Sequence, residues 1–226
     1  MVSPNNHRFG VTDMARIETQ TRPLYQFDEL SDDAKERARN WFRTGMDFEP
    51  DFIIEDAARI AAILGIEFDT REVRLMNGST RKTPRVWFSG FSSQGDGASF
   101  EGSYTYAKGS QRTIRDYAPT DTELHAIADA LAAAQRPCFY RLCATSITSS
   151  LYPHSGTMSV DAEYCDDSYR PVPESAVNAI TDTLRRFADW IYNTLEREYD
   201  WMNSDESLDE NIRCNEYEFI ESGDIA

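Results

Sequence analysis

Residues 89–97, SGFSSQGDG, interleave serines and glycines with one aspartate, the kind of stretch whose successive backbone N–H groups can close around an anion. In such a cradle Ser92, Gln94, Gly95 and Asp96 would touch the ligand, and the basic residues Arg81, Lys82 and Arg85 just upstream would supply positive charge. The stretch nevertheless follows neither GxxxxGKS/T nor GxGxxG, and no helix pattern comes after it to add a positive N-terminus. Turn geometry is therefore its first reading. A nucleotide or signalling molecule held by these residues is the alternative.

Nucleophilic catalysis asks for a serine or cysteine beside a histidine and an acid. His154-Ser155-Gly156 lies in a strand connection and His125 follows Glu123 by two residues, but there is no GxSxG elbow. Ser79-Thr80-Arg81-Lys82 fits SxxK by letter alone, because it falls in a turn with no helix to place the lysine. No catalytic residue is assigned and no enzymatic activity is expected. The four cysteines, Cys138, Cys143, Cys165 and Cys214, contain no CxxC pair and read as reduced thiols. Cys138 and Cys143 stand five apart, so on a strand they face opposite sides. A zinc site from Cys165, Cys214 and His154 competes with the simpler reading of small buried hydrophobes, which is preferred. Asp161, Glu163, Asp166 and Asp167 lack EF-hand spacing and read as a solvated face. No metal and no cofactor is expected.

The carboxylates are the strongest compositional signal. The chain of 226 residues carries a net charge of −16. Residues 196–226 hold eleven acids against Arg197 and Arg213, which concentrates more than half of that excess near the carboxyl end. Such a surface repels nucleic acid and attracts basic proteins, including those that normally grip phosphate backbones. Trp190, Tyr192, Tyr199 and Trp201 exceed what one buried helix stripe can use. With Glu196, Glu198, Asp200, Asp205, Glu206, Asp209 and Glu210, the two tryptophans form the expected partner-binding surface. Self-association as a homodimer stays open. The opening MVSPNNHRFG has no apolar core of a signal peptide and residues 60–66 are too short a run to span a bilayer, so the cytoplasm is the expected location.

The elements that must position these residues are legible from periodicity. Residues 1–22 read as a flexible arm and residues 23–226 as one α+β domain. A short strand over 24–27 precedes a helix capped by Ser31, with Ala34, Ala38, Trp41 and Phe42 at helical spacing. A second helix begins at Pro50 and stops at Gly65. From Ile66 the period changes to two, giving strands over 66–68 and 72–76, then a hairpin over 85–106 taken as the centre of the sheet. Residues 108–117 are ambiguous. Residues 122–135 form a helix, 138–147 and 157–165 two strands, and 173–201 the longest helix, its Val177, Ile180, Leu184, Phe187, Ile191 and Leu195 separated by threes and fours. Residues 212–220 read as a last strand. Because strands arrive in hairpins, the fold class is an antiparallel sheet with helices packed on it, and not a doubly wound parallel sheet.

Four stretches carry a family resemblance: FDELSDDAKERARNWFR (27–43), FSGFSSQGDGASFEG (88–102), DYAP with ELHAIA (116–128) and LDENIRCNEYEF (208–219). In that order they resemble conserved proteins of bacteriophages, prophages and plasmids that often carry the label "antitoxin of toxin–antitoxin stability system". The resemblance spans about residues 23–223 and brings no catalytic residues with it. It implies a mobile-element setting, in which small acidic proteins block host defence enzymes, as anti-CRISPR inhibitors do, antagonise toxins or imitate DNA.

Overall fold

A computed structural model describes residues 21–148, 153–166 and 170–226. All but the last two positions of the expected arm lie outside the described residues. In chain order the elements are β1 (Tyr25–Gln26), α1 (Asp32–Thr44), α2 (Asp51–Leu64), β2 (Ile66–Phe68), β3 (Thr70–Arg74), β4 (Thr80–Pro84), β5 (Val86–Phe88), β6 (Ala98–Phe100) and β7 (Gly102–Thr105). There follow α3 (Ser110–Tyr117), α4 (Thr122–Gln135), β8 (Leu142–Thr148), β9 (Met158–Tyr164), α5 (Glu174–Met202), α6 (Asp205–Cys214) and β10 (Glu218–Phe219). The class is α+β with antiparallel sheets, as the hairpin pattern predicts. The chain gathers into two units, one of residues 47–204 and one joining the residues up to Met46 with Asp205–Ala226. No described helix is long and apolar enough to cross a membrane.

In the 47–204 unit Pro50 caps α2, where its missing N–H leaves no helical bond unmade, and Gly65 ends the helix in the left-handed region at φ 87°. The chain then enters a four-stranded sheet of order β2-β7-β8-β9, every neighbour antiparallel. Alternation places Leu142, Ala144 and Ser146 inside and leaves Thr145 and Ile147 exposed. α5, at 29 residues, buries Ile180, Leu184, Phe187, Ile191 and Leu195 in the same core as Tyr104, Phe100 and Leu131. That stripe recurs every third or fourth residue, which is why so long a helix holds one orientation.

The hairpin expected over 85–106 is present, with Val86 opposite Phe100 and Phe88 opposite Ala98, but its return strand is not continuous. At Glu101 the backbone bridges two ladders: its N–H donates to the Arg85 carbonyl at 3.0 Å and its carbonyl accepts from Asp69 at 2.9 Å. The chain leaves that bridge as β7, and it is β7 that sits inside the larger sheet. Residues 138–141 differ from the expected strand as well. Residues Arg136–Cys138 form a 3-10 turn and Phe139 and Tyr140 take positive φ, so β8 starts only at Leu142. The buried Gln135 amide explains the delay: it accepts from Leu142 N–H at 3.0 Å and donates to the Leu142 carbonyl at 2.7 Å, doing for that residue what a neighbouring strand would do. The ambiguous 108–117 stretch is the helix α3.

In the other unit Ser31 caps α1 by accepting the Ala34 N–H at 3.4 Å. Phe27, Leu30, Ala34, Ala38, Ile212 and Phe219 form its core, with Trp41 packed edge-on against Phe219 at 5.9 Å. The strand expected over 212–220 shrinks to β10, because Ser207, Leu208 and Ile212 are one face of a helix, buried against that core, and Asp205 and Glu206 suit its first turn. The Arg213 guanidinium, hydrogen-bonded at 2.8 Å, holds Asp28 below its ordinary carboxylate value; Arg39 and Arg43 do the same for Glu36. An acid that releases its proton more readily when folded contributes stability at neutral pH that is lost on acidification. Urea midpoints of this unit should hold steady down to about pH 5 and fall below it, the fall becoming shallower in Arg213→Met. A pH profile unchanged by that substitution would contradict the account.

Candidate partner-binding surface

Tyr192, Glu196, Tyr199 and Asp200 are spaced i, i+4, i+7 and i+8 along α5, so they share one face beside the buried stripe. The loop over residues 89–97 meets that face. The Phe91 ring stacks on Tyr199 at 4.8 Å and lies 5.8 Å from Tyr192, while Phe48 stands edge-on to Phe91 at 5.4 Å and to Tyr199 at 5.8 Å. The Tyr192 hydroxyl is 3.3 Å from both the Gly90 carbonyl and Glu196 Oε1, so its single proton serves the loop or the helix. That hydroxyl is pushed up to about 12, first by burial and then by the negative charges of Glu196, Asp96 and Asp200. Three carboxylates thus converge on the rim of an aromatic wall.

The loop is held by its own bonds. Asp96 Oδ2 accepts the N–H groups of Ser92 at 2.9 Å and Ser93 at 2.7 Å, and Ser89 Oγ accepts from Gly97 at 2.9 Å. Gly95 sits at φ 101°, as the turn requires, and a Cβ on Gly97 would stand 2.6 Å from that of His154. Two of the N–H groups proposed for an anion, those of Ser92 and Ser93, are therefore already satisfied by a carboxylate of the same chain. The basic residues proposed with them are engaged elsewhere: Arg81 with Asp51 at 2.9 Å and Glu55 at 3.5 Å, Arg85 with Glu101 at 2.6 Å, while Lys82 is exposed on β4. Ser92, Gln94 and Gly95 remain exposed turn residues, and Asp96 belongs electrostatically with α5.

The residues expected to form one acidic surface divide between the two units. Trp190 is corrected outright: it is 8% exposed, its ring stacks on Phe187 at 5.8 Å and its Nε1 donates to Asp121 at 2.8 Å. Its place at i+3 from Phe187 makes it core, a reading the 3.6 period offers. Trp201 is 54% exposed, and Glu198 and Asp200 are exposed and form no ion pair among the described residues. Asp205 and Asp209, in the other unit, are spent internally. Arg39 reaches Asp209 with two bonds of 2.6 and 3.0 Å, and Arg43 reaches Asp205 at 2.9 Å. Glu206 and Glu210 are exposed on α6.

The histidines described serve the backbone. His125 Nε2 lies 2.8 Å from the Ala118 carbonyl, and His154 Nδ1 accepts the Gly156 N–H at 3.1 Å. Of the three residues considered for zinc, Cys165 and His154 lie in the 47–204 unit and Cys214 in the other. No group of three or more His, Cys, Asp or Glu among the described residues is arranged to hold a metal ion.

What remains at the corner of α5 and the 89–97 loop is Asp96, Glu196 and Asp200 beside Phe91, Tyr192 and Tyr199. Aromatic faces next to unpaired carboxylates suit the guanidinium of arginine, which stacks and donates at once. The role of Asp96 and Phe91 escaped the sequence reading, although the stripe at Tyr192, Glu196, Tyr199 and Asp200 was a signal for a second helix face in use. A family model described as a domain of unknown function, DUF8835, matches residues 50–205, nearly the extent of the 47–204 unit. No curated protein and no solved structure matches the sequence.

Proposed function

The chain belongs to the DUF8835 family, and we propose that it is a non-enzymatic acidic protein that binds and inhibits a basic, nucleic-acid-handling protein. The observation that carries this reading is the convergence of Asp96, Glu196 and Asp200 on Tyr192 at the edge of the Phe48, Phe91 and Tyr199 rings. Carboxylates there take the places that phosphates would occupy on the partner, and the rings add apolar area to the contact. The net charge of −16 steers a cationic partner toward the surface. The resemblance to phage, prophage and plasmid proteins supplies the setting: the host cytoplasm, with a defence nuclease or a toxin as the target.

Capture from the natural host followed by purified binding across a salt series tests the proposal. The complex should weaken steeply with salt and be displaced by duplex DNA. Glu196→Gln and Asp200→Asn combined should lower affinity by about 10- to 30-fold at low salt, each charge contributing up to about 1 kcal/mol. Binding indifferent to salt and to the double substitution would refute the proposal.

A further inference from the structure

A second feature of the 47–204 unit lies on the other side of its sheet from the core. On that face Thr105, Cys143 and Glu163 line up across β7, β8 and β9, since Thr105 pairs with Cys143 and Cys143 with Glu163. Cys165 continues β9 by one step of the same register, its N–H donating to the Arg141 carbonyl at 2.8 Å. It therefore points to the same side as Glu163 and stands diagonally across from Cys143. Both thiols line an open cleft of about 640 Å³ with Thr105, Glu163 and Arg170.

We propose that Cys143 and Cys165 form a two-thiol site that chelates soft, thiophilic centres, the class represented by monosubstituted trivalent arsenicals. Diagonal strand neighbours sit too far apart for an unstrained disulfide unless the backbone moves, whereas a bridging atom with two long bonds to sulfur reaches across a wider gap between two thiols on one face. The Cys143 thiol is pushed up to about 12, by burial first and by the neighbouring Cys165 side chain next, so it keeps its proton. A metal ion that binds as a thiolate complex must first displace that proton; an arsenoxide consumes it. In the reaction the arsenic–oxygen double bond is replaced by two arsenic–sulfur bonds, and the two thiol protons leave with the oxygen as one water. No oxidation state changes. Cys165 is exposed and would bond first, Cys143 closing the ring.

Phenylarsine oxide is the probe. Intact mass should show one adduct per chain with loss of one water, and the adduct should survive excess glutathione but yield to a dithiol. Cys165→Ser, at an exposed position that leaves the core untouched, should reduce retention under glutathione by at least about a hundredfold, the difference between one bond and a chelate. Cys143→Ser should do the same, and Cys214→Ser should change nothing. Retention in wild type no better than in Cys165→Ser, or an adduct that maps to Cys138 or Cys214, would overturn the assignment. Native circular dichroism of each variant separates loss of the site from loss of the fold.

Discussion

Replacing Gly65 by alanine should lower the unfolding free energy of the 47–204 unit by about 3 to 5 kcal/mol, a large share of what a domain of this size possesses. Two costs add. At φ 87° an L side chain is strained by about 1 kcal/mol or more. A Cβ there would also stand 2.0 Å from the Thr105 carbonyl oxygen, the residue whose N–H donates to Gly65 at 2.9 Å. The methyl group must push β2 from β7 at the point where α2 hands the chain to the sheet. Gly78 supplies the control, because its φ is 83° but nothing lies within 4 Å of its Cβ position. Gly78→Ala should pay the backbone term alone. Urea melts in which the two variants lose the same stability would show that the close approach is not what Gly65 is for.

The second large effect is expected at Phe187. Its ring is fully buried and meets Phe100 at 5.9 Å, Phe68 at 6.3 Å and Trp190 at 5.8 Å, the last nearly parallel at 8°. Truncation to alanine removes the transfer energy of the ring and leaves a cavity walled by rigid aromatics that cannot collapse into it, a loss of about 3 to 5 kcal/mol. Leucine, which refills much of the volume, should recover most of it. Near-ultraviolet circular dichroism should report the change directly, since the stacked Trp190 loses its neighbour while its bond to Asp121 persists. Equal stability of the alanine and leucine variants would mean that the ring is not packed as described.

The helices α1, α2 and α4 were legible in the sequence because each has a residue with a local reason to start or stop it: Ser31 and its acids, Pro50 and Gly65, Asp121 at the head of α4; α3 and α6 were not. The strand endings were not, because they are set by distant partners. Nothing local in CFYRLC says that the Gln135 amide will satisfy Leu142 and hold back β8, and nothing local at Glu101 marks a bridge between Arg85 and Asp69. Residues 212–220 misled because Leu208 and Ile212 stand four apart, a spacing compatible with either period. The surface shows the same limit. Charge content points to α5, yet whether a carboxylate is free or neutralised depends on residues far away in sequence, as Arg39 and Asp209 show. The convergence of Asp96 with Glu196 is a property of tertiary structure alone.

One of the two units is written without interruption in the chain and the other is written around it. On the ribosome α1 is made early and α6 with β10 only after residues 47–204, so Phe27, Trp41 and Phe42 must wait for the surfaces that cover them. The nascent protein therefore carries an adhesive aromatic segment through most of its synthesis, a natural client for a chaperone. Among the described residues the buried core of the central unit is drawn from positions 57 to 195, so that unit is free to fold first.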